Sequence, residues 1–255
     1  MDSNRTNILG VMINSINKEQ LTRQLRDFFY DEAQHTIVTP NPEMILLAQH
    51  DKQFLQILNN ADIAVPDGVG LIFASHALGT KPISSRITGV ETLELLTKLC
   101  VQEGKKLILI GGGVGVASVA AENLNKKFHT SNIRSYDIGE VTFAHGAWSM
   151  NPAVLEHIKK EAPALLAVAL GHGKQEKWIA SFLPELPSVH IAIGVGGALD
   201  YLAGHVPRAP RLMRQVGLEW LYRLIREPKR LPRIWKAVIV FPLMVIWARI
   251  KHQPL

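Results

Sequence analysis

The sequence predicts an α/β fold, a Rossmann-like and mainly parallel sheet with helices on both faces. Its 255 residues, 47% of them hydrophobic, can form one sizeable core. Apolar runs of strand length recur along the chain, and stretches with helical spacing lie between them. Most of these runs have too few polar positions for a wet face, which is typical of parallel strands covered on both sides.

The predicted elements follow in chain order. The strands are expected at 7–13, 35–39, 62–65, 106–110, 133–136, 165–170 and 189–195. Apolar residues three and four positions apart predict helices at 43–58 and 91–101. Glu43 and Glu91 are interpreted as first-turn residues, because a negative charge there complements the helix dipole.

Positive charge is concentrated at one end of the chain. The net charge is +6, but residues 202–255 hold eleven Lys and Arg against two acids, which leaves 1–201 slightly negative. We therefore predict a Rossmann-like catalytic domain at 1–201 and a basic, amphipathic, helical C-terminal appendage at 202–255. Such an appendage favours an anionic partner, either nucleic acid or an acidic membrane surface.

Cysteine usage and the N-terminal residues bear on the compartment. Cys100 is the single cysteine, so a disulfide within the chain and a thiolate metal cluster are both excluded. No apolar run with a small-residue cleavage site follows the polar first residues. We expect a reducing compartment and no secretion by a signal peptide.

Unusual residues follow the predicted strands, at the edge where open α/β sheets bind ligands. The loops are TPNPE with Thr39 and Asn41, VPDGVG with Asp67, IGGGVGVAS, LGHGKQEKW with Gln175, and IGVGGALD with Asp200. We expect all five loops to face one crevice.

The glycine-rich loop after the predicted strand 106–110 permits two interpretations. A strand, a glycine loop and a helix start suit a phosphate group at the helix N-terminus. The spacing differs from the dinucleotide fingerprint, and no acidic residue is clearly placed to bind a ribose. Nucleotide contact and a tight packing turn both remain open.

Asp67 is a candidate general base. Taken alone, Asp-Gly is a common turn pair. Its neighbours in the predicted site, namely Thr39, Asn41 and Arg86, suit deprotonation of a hydroxyl nucleophile near a phosphate-bearing donor. The histidines show no zinc-ligand spacing, and the chain has no Asp-x-Asp motif. We therefore predict no metal and no cofactor, with Arg, Lys and backbone N–H groups neutralising a leaving diphosphate.

The C-terminal residues alternate cations with apolar side chains. This pattern indicates a helix lying in a membrane interface. The apolar segment 237–248 has twelve residues, fewer than the roughly 20 needed to span a bilayer, and is interpreted as a shallow anchor. The alternative is an ordinary amphipathic helix that packs on its own domain.

Taken together, several motifs resemble the WecG/TagA/CpsF family of bacterial glycosyltransferases, from about residue 8 to about residue 235. The motifs are TPNPEM, VPDGVG, SRITGVE, KQEKWI, IGVGGALDYLAGHVPRAP and GLEWLYRLIREPKR. The resemblance implies an inverting, metal-independent, membrane-associated transferase in cell-envelope or exopolysaccharide synthesis. It would move a sugar of the N-acetylmannosamine, N-acetylmannosaminuronic acid or glucuronic acid type from UDP to a polyprenyl-diphosphate-linked saccharide.

The resemblance also implies roles for residues and partners. Asp67 would be the catalytic base, Thr39 and Asn41 would position a sugar, and Arg86 would face diphosphate. UDP-sugar binding would involve Gly111, Gly112, Gly113, Gly171, His172, Lys174, Gln175, Gly194, Gly196, Gly197 and Asp200. The membrane and lipid diphosphate would meet Arg211, Arg214, Arg223, Arg226, Arg230 and Arg233. The location would be the cytoplasmic face of the bacterial inner membrane, with a homo-oligomer among the states and no nucleic acid among the partners.

Two other function classes stay open on the residues alone. An NAD(P)-dependent Rossmann oxidoreductase would account for the glycine loop but leaves the basic C-terminal residues unexplained. A non-catalytic membrane or nucleic-acid adaptor would account for those residues, although the aromatic side chains there lie among apolar ones rather than forming a base-stacking surface.

Overall fold

The computed structural model describes residues 4–215 and 217–251, without the side chains of residues 214 and 215. The chain packs into two compact units. The first unit comprises Met1–Asn17, Thr39–Thr88 and Pro207–Leu255, and the second comprises Lys18–Val38 and Gly89–Val206. The predicted boundary at residue 201 separates a catalytic from a membrane-associating function, and that division stays a prediction.

Within the second unit, five parallel strands form a sheet. They are β3 (His35–Val38), β5 (Leu107–Gly111), β6 (Ile133–Tyr136), β9 (Leu165–Ala169) and β10 (Ile191–Gly194). Their order is β3-β10-β9-β5-β6, and each neighbouring pair is parallel. The predicted parallel α/β architecture is confirmed. A short antiparallel hairpin, β7 (Thr142–Ala144) with β8 (Ala147–Ser149), also belongs to this unit.

Helices cover both faces of this sheet. They are α1 (Lys18–Asp27), α5 (Gly89–Gln102), α6 (Val116–Phe128), α7 (Ala153–Glu161), α8 (Lys174–Phe182) and α9 (Ala198–Leu202). On one face, Ile108 and Leu166 share a core cluster with Trp178 of α8. The alternate side chains Leu109 and Ala167 point the other way and are equally buried. Burial on both faces explains the nearly continuous apolar strands.

The first unit begins with a hairpin where the sequence predicts one strand. β1 (Arg5–Ile8) pairs antiparallel with β2 (Val11–Asn14). Leu9 and Gly10 turn the chain with φ of 52° and 86°, and the Asn7 carboxamide oxygen accepts the Gly10 N–H at 2.8 Å. The single strand at 7–13 is therefore wrong, because the turn lies inside an apolar run that hides it.

The predicted helix at 43–58 is also two helices. α2 (Pro42–Ala48) ends before α3 (Lys52–Asn60), whose N-cap is Asp51. The Asp51 carboxylate accepts the Phe54 N–H at 2.9 Å, which starts a new helix. Next come the two-residue β4 (Ile63–Ala64) and α4 (Val69–Ala77). The first-turn positions of Glu43 in α2 and Glu91 in α5 are confirmed.

The C-terminal residues of the first unit are helical. α10 (Arg211–Gln215) and α11 (Glu219–Arg226) precede one helix of 23 residues, Pro228–Ile250, here called the C-terminal helix. It contains α12 (Leu231–Trp235), a π-helical turn and α13 (Phe241–Ile250). By length and composition it could cross a membrane. The helix extends beyond the apolar segment 237–248 at both ends, so its length alone does not exclude a crossing. The interpretation as a shallow anchor stays a prediction.

Candidate active site

Three predicted segments of the first unit are joined by backbone hydrogen bonds. The Asp67 N–H donates to the Pro40 carbonyl at 2.9 Å, and the Ile87 N–H donates to the Pro66 carbonyl at 3.1 Å. These bonds connect the Asp67 turn to the segment with Thr39 and Asn41 and to the segment with Arg86. The structure therefore joins the chain segments that carry the four residues assigned to catalysis.

The glycines beside Asp67 have structural reasons of their own. Gly68 is the N-cap of α4 with φ of 117°, a conformation that L side chains rarely adopt. A Cβ atom at Gly70 would lie 2.9 Å from Pro42 Cγ. Gly70 therefore allows α4 to pack closely against α2. Both glycines are thus required by the local backbone and packing.

Thr39 and Asn41 differ in what their side chains do. The Asn41 side-chain oxygen accepts the Met44 N–H at 3.0 Å and so caps α2. Thr39 lies at the end of β3 and is 7% exposed. Asn41 thus has a structural role in addition to the proposed contact with a sugar, and its loss would disturb the first turn of α2.

Arg86 is paired with a carboxylate that the sequence analysis does not single out. Its Nη2 atom lies 2.7 Å from Glu219 Oε2, and Arg223 Nη2 lies 3.0 Å from Glu219 Oε1. Burial of Glu219 opposes its ionisation, but the two guanidinium groups outweigh burial and lower its pKa. Glu219 is therefore ionised around neutral pH. Glu219 lies four residues before Arg223 on one helix, and this spacing is the sequence feature that could have revealed the ion pair.

The glycine loops of the second unit follow three neighbouring strands. The loops after β5, β9 and β10 start α6, α8 and α9 respectively. Because these strands are parallel and adjacent, the loops lie along one edge of the sheet. The loops after β3 and β4 belong to the first unit. The single crevice lined by all five loops stays a prediction.

Packing accounts for the first glycine of the loop after β5. A Cβ atom at Gly111 would lie 2.6 Å from the Ala169 carbonyl oxygen, and the Gly112 N–H donates to the same oxygen at 2.7 Å. The ends of β5 and β9 therefore approach too closely for a side chain. The tight-turn interpretation holds at Gly111, and nucleotide contact stays a prediction for Gly112 and Gly113.

A buried polar network joins the loops after β9 and β10. Glu176 accepts the Gly173 N–H at 2.7 Å and the Gln175 side-chain N–H at 2.8 Å. Gln175 in turn accepts the Gly196 N–H at 2.9 Å. A Cβ atom at Gly194 would lie 2.6 Å from Gln175 Nε2. Gln175 is therefore a buried support of the glycine loops, and Glu176 is a residue that the sequence analysis missed.

The stability of the protein should depend on pH through Glu176. Burial raises its pKa from 4.5 to about 7, against the hydrogen bonds that lower it. Between these values the unfolded state loses a proton that the folded state keeps, so stability falls as pH rises. Unfolding free energies of the wild type and Glu176→Gln should show the wild type losing on the order of 3 kcal/mol relative to the variant between about pH 4.5 and about pH 7. A constant difference would contradict the prediction.

Other residues assigned to UDP-sugar binding occupy the same loops. Lys174 donates to the Val141 carbonyl at 3.1 Å, so its side chain fastens the loop before β7. His172 is half-buried in the loop after β9, and Asp200 lies in the first turn of α9. Among the described residues, no three His, Cys, Asp or Glu side chains are grouped as metal ligands would be. Their roles toward a donor stay predictions.

The arginines assigned to lipid have different surroundings. Arg230 Nε lies 2.7 Å from Glu227 Oε2, and Arg233 Nε lies 2.8 Å from Glu43 Oε2 on α2. Arg211 and Arg226 are exposed, whereas the Arg214 side chain lies outside the described residues.

The C-terminal helix has a packed face and an apolar exposed face. Phe241, Val245 and Ala248 are buried in the first unit, and Arg249 donates to the Leu78 carbonyl at 3.1 Å at the end of α4. On the other face lies an apolar stripe of large exposed side chains: Leu231, Trp235, Ile239, Leu243, Ile246 and Ile250. The packing alternative of the sequence analysis therefore holds for one face only.

Comparison with known proteins adds the decisive observation. The sequence model of the glycosyl transferase WecG/TagA/CpsF family matches residues 6–254. The chain belongs to this glycosyltransferase family. The match extends beyond the resemblance at both ends and includes the C-terminal helix. Among the three function classes, family membership supports the transferase over the oxidoreductase and the adaptor.

Relatives of this glycosyltransferase include proteins from strains of Staphylococcus aureus. The proteins of strains MW2 and NCTC 8325 / PS 47 are each 29% identical to it over 252 residues, covering 97% of this chain and 94% of the relative. Both are named N-acetylglucosaminyldiphosphoundecaprenol N-acetyl-beta-D-mannosaminyltransferase. The chain therefore matches these enzymes over nearly their whole length.

Proposed function

We propose that this glycosyltransferase moves a sugar from a UDP-sugar to a saccharide linked to a polyprenyl diphosphate. The observation that carries the proposal is the Asp67 turn, which is hydrogen-bonded to the segments of Asn41 and Arg86. The names of the staphylococcal relatives support a lipid-diphosphate acceptor and an N-acetylmannosamine donor. N-acetylmannosaminuronic acid and glucuronic acid are the other donor sugars that fit the proposal.

The proposed reaction is a single displacement at the anomeric carbon. The acceptor hydroxyl gives its proton to the Asp67 carboxylate while its oxygen forms the new bond to that carbon. The bond from the carbon to UDP breaks, and its electron pair goes to the diphosphate oxygen. Attack opposite the leaving group inverts the configuration. Arg86 would stabilise the negative charge that develops on a diphosphate.

The second unit would bind the donor. Helix α6 begins directly after the glycine loop that follows β5, so backbone N–H groups of its first turn are suited to a diphosphate. At the start of α8, the Glu176 carboxylate already accepts the Gly173 N–H. The network of Gln175 and Glu176 holds the loops after β9 and β10 in place. Arg, Lys and backbone N–H groups would then replace a metal ion in this reaction.

The C-terminal helix would bind the enzyme peripherally to the cytoplasmic face of the inner membrane. Its apolar stripe is exposed while Phe241 and Val245 on the opposite face are buried in the first unit. A helix packed in this way favours insertion parallel to the membrane plane over crossing it. The exposed Arg226 and Lys236 would meet anionic lipid headgroups, and Lys236 can extend toward them from its apolar surroundings.

The reaction is tested with a panel of UDP-sugars and a polyprenyl-diphosphate-linked N-acetylglucosamine acceptor, in the presence of EDTA. We expect UDP release and a gain in acceptor mass with one donor among N-acetylmannosamine, its uronic acid and glucuronic acid, with glucose as the comparison donor. Full activity in EDTA is expected. Absence of transfer from every donor would contradict the proposed substrates, and loss of activity in EDTA would contradict metal independence.

A further inference from the structure

We propose that Glu219 is a positioning residue that holds Arg86 and Arg223 side by side as a two-arginine site for a substrate diphosphate. The inference rests on the proposed function and deepens it. The resemblance implies diphosphate contacts for Arg86 and Arg223, whereas it implies no role for Glu219. The shared ligand chemistry is a diphosphate, whether it belongs to the nucleotide or to the lipid.

The geometry places one carboxylate between two guanidinium groups. Glu219 Oε2 accepts a hydrogen bond from Arg86 at 2.7 Å, and Oε1 accepts one from Arg223 at 3.0 Å. Because both oxygens belong to one carboxylate, the two guanidinium groups are neighbours. The side chains of Arg86 and Glu219 are 16% and 11% exposed, whereas that of Arg223 is 36% exposed. Arg86 and Glu219 are therefore largely buried, and Arg223 is the most accessible of the three side chains.

A carboxylate in this position makes two adjacent arginines tolerable. Two guanidinium groups repel each other, and the repulsion grows as they leave water. Glu219 offsets it and accepts a hydrogen bond from each planar guanidinium group. A diphosphate offers two phosphates, each suited to an arginine fork. The three side chains together retain a net positive charge that favours such an anion.

The loop that carries Arg86 is hydrogen-bonded to the loop that carries the proposed base. Arg86 immediately precedes Ile87, whose N–H donates to the Pro66 carbonyl next to Asp67. From the other direction, Gly217 precedes α11 and packs against α4, since a Cβ atom there would lie 2.6 Å from Val69 Cγ1. Glu219 thus fastens the start of α11 to the loop that carries Arg86, and it brings Arg223 to the same place.

A purely structural ion pair is the competing explanation, and a double-mutant cycle separates the two. The probe is inorganic pyrophosphate in EDTA, and its Kd is measured by calorimetry on the full chain. We expect Glu219→Gln and Arg86→Ala each to weaken pyrophosphate binding about tenfold, which corresponds to one charged hydrogen bond from a guanidinium. Arg86→Ala removes the donor, and Glu219→Gln releases the guanidinium groups from their positions. The double variant should bind more weakly than Arg86→Ala, because Glu219 also holds Arg223, but the combined loss should be less than the sum of the two single losses, because part of the effect of Glu219 depends on Arg86.

Glu94→Gln is the matched control. Glu94 also pairs with a cation of another helix, Lys127, at 3.0 Å, and neither residue is assigned to catalysis or substrate binding. Pyrophosphate affinity should therefore be unchanged in this variant. Arg223→Ala, at a half-exposed position, is the second test should Glu219→Gln fail to fold, and it should weaken binding as much as Arg86→Ala.

The outcomes are distinct from those of the transfer assay. Wild-type affinity in Glu219→Gln or in Arg223→Ala, or fully additive losses in the double variant, would overturn the two-arginine site. Titration with UDP and with farnesyl diphosphate shows which diphosphate depends on Glu219. If the wild type transfers no sugar yet its pyrophosphate binding depends on Glu219, the proposed substrates fail and the site stands.

Discussion

Asp67→Asn is expected to lower kcat for sugar transfer by about 10²- to 10⁴-fold while the protein folds normally. The asparagine side chain keeps the size of the aspartate but cannot accept a proton from the acceptor hydroxyl. The backbone N–H of residue 67 still donates to the Pro40 carbonyl, so the turn should persist. The measurement is initial-rate kinetics with the active donor of the panel, together with thermal unfolding.

A second aspartate-to-asparagine variant controls for the loss of one negative charge and for the preparation of a variant protein. Asp137 lies in a loop of the second unit and accepts the Gly139 N–H at 2.9 Å, a bond that asparagine can also accept. Asp137→Asn should therefore transfer sugar at the wild-type rate. Turnover of Asp67→Asn within a few-fold of the wild type would show that another group takes the proton.

Phe241→Ala is expected to destabilise the protein by about 3–5 kcal/mol, since a fully buried aromatic side chain is removed and a cavity is left. Leu243→Ala, two residues away and 61% exposed, should change stability by less than about 0.5 kcal/mol. Denaturant unfolding of both variants in detergent-free buffer measures the difference. Equal stabilities would show that the C-terminal helix does not pack on the first unit.

At a membrane, the exposed face of the C-terminal helix should matter more than its buried face. Leu243 belongs to the apolar stripe, so replacing Leu243 and Trp235 by serine should weaken co-sedimentation with vesicles of anionic phospholipid. Neutral vesicles should bind the wild type more weakly, because the cations beside the stripe then lose their partners. Unchanged vesicle binding of the double serine variant would contradict membrane contact through the stripe.

Prediction of the fold from the sequence succeeded for the long apolar strands and failed at local turns and helix caps. The long apolar runs of β5, β9 and β10 predicted parallel strands, since burial on both faces leaves no other pattern. The hairpin at Leu9 and Gly10 and the cap at Asp51 were missed, because a turn of two residues hardly alters a hydrophobic period.

Prediction of the candidate site from the sequence also succeeded in part and failed in part. The positions of Thr39, Asn41 and Asp67 followed from strand ends alone, because topology places loop residues at the edge of a sheet. Glu176 was missed, since its neighbours in the chain do not reveal that its carboxylate would be buried under the glycine loops. Gln175 was interpreted as a ligand contact, whereas the structure shows it supporting the backbone of Gly196.

By itself, the sequence determined the α/β class, the basic C-terminal segment and the strand-end residues, because composition and periodicity record how much surface each segment buries. Only the tertiary structure decided which face of the C-terminal helix packs inward and that Glu219 lies between Arg86 and Arg223. Arg86 and Glu219 are 133 positions apart in the chain. Their pairing depends on the packing of whole helices and loops, which no local pattern records.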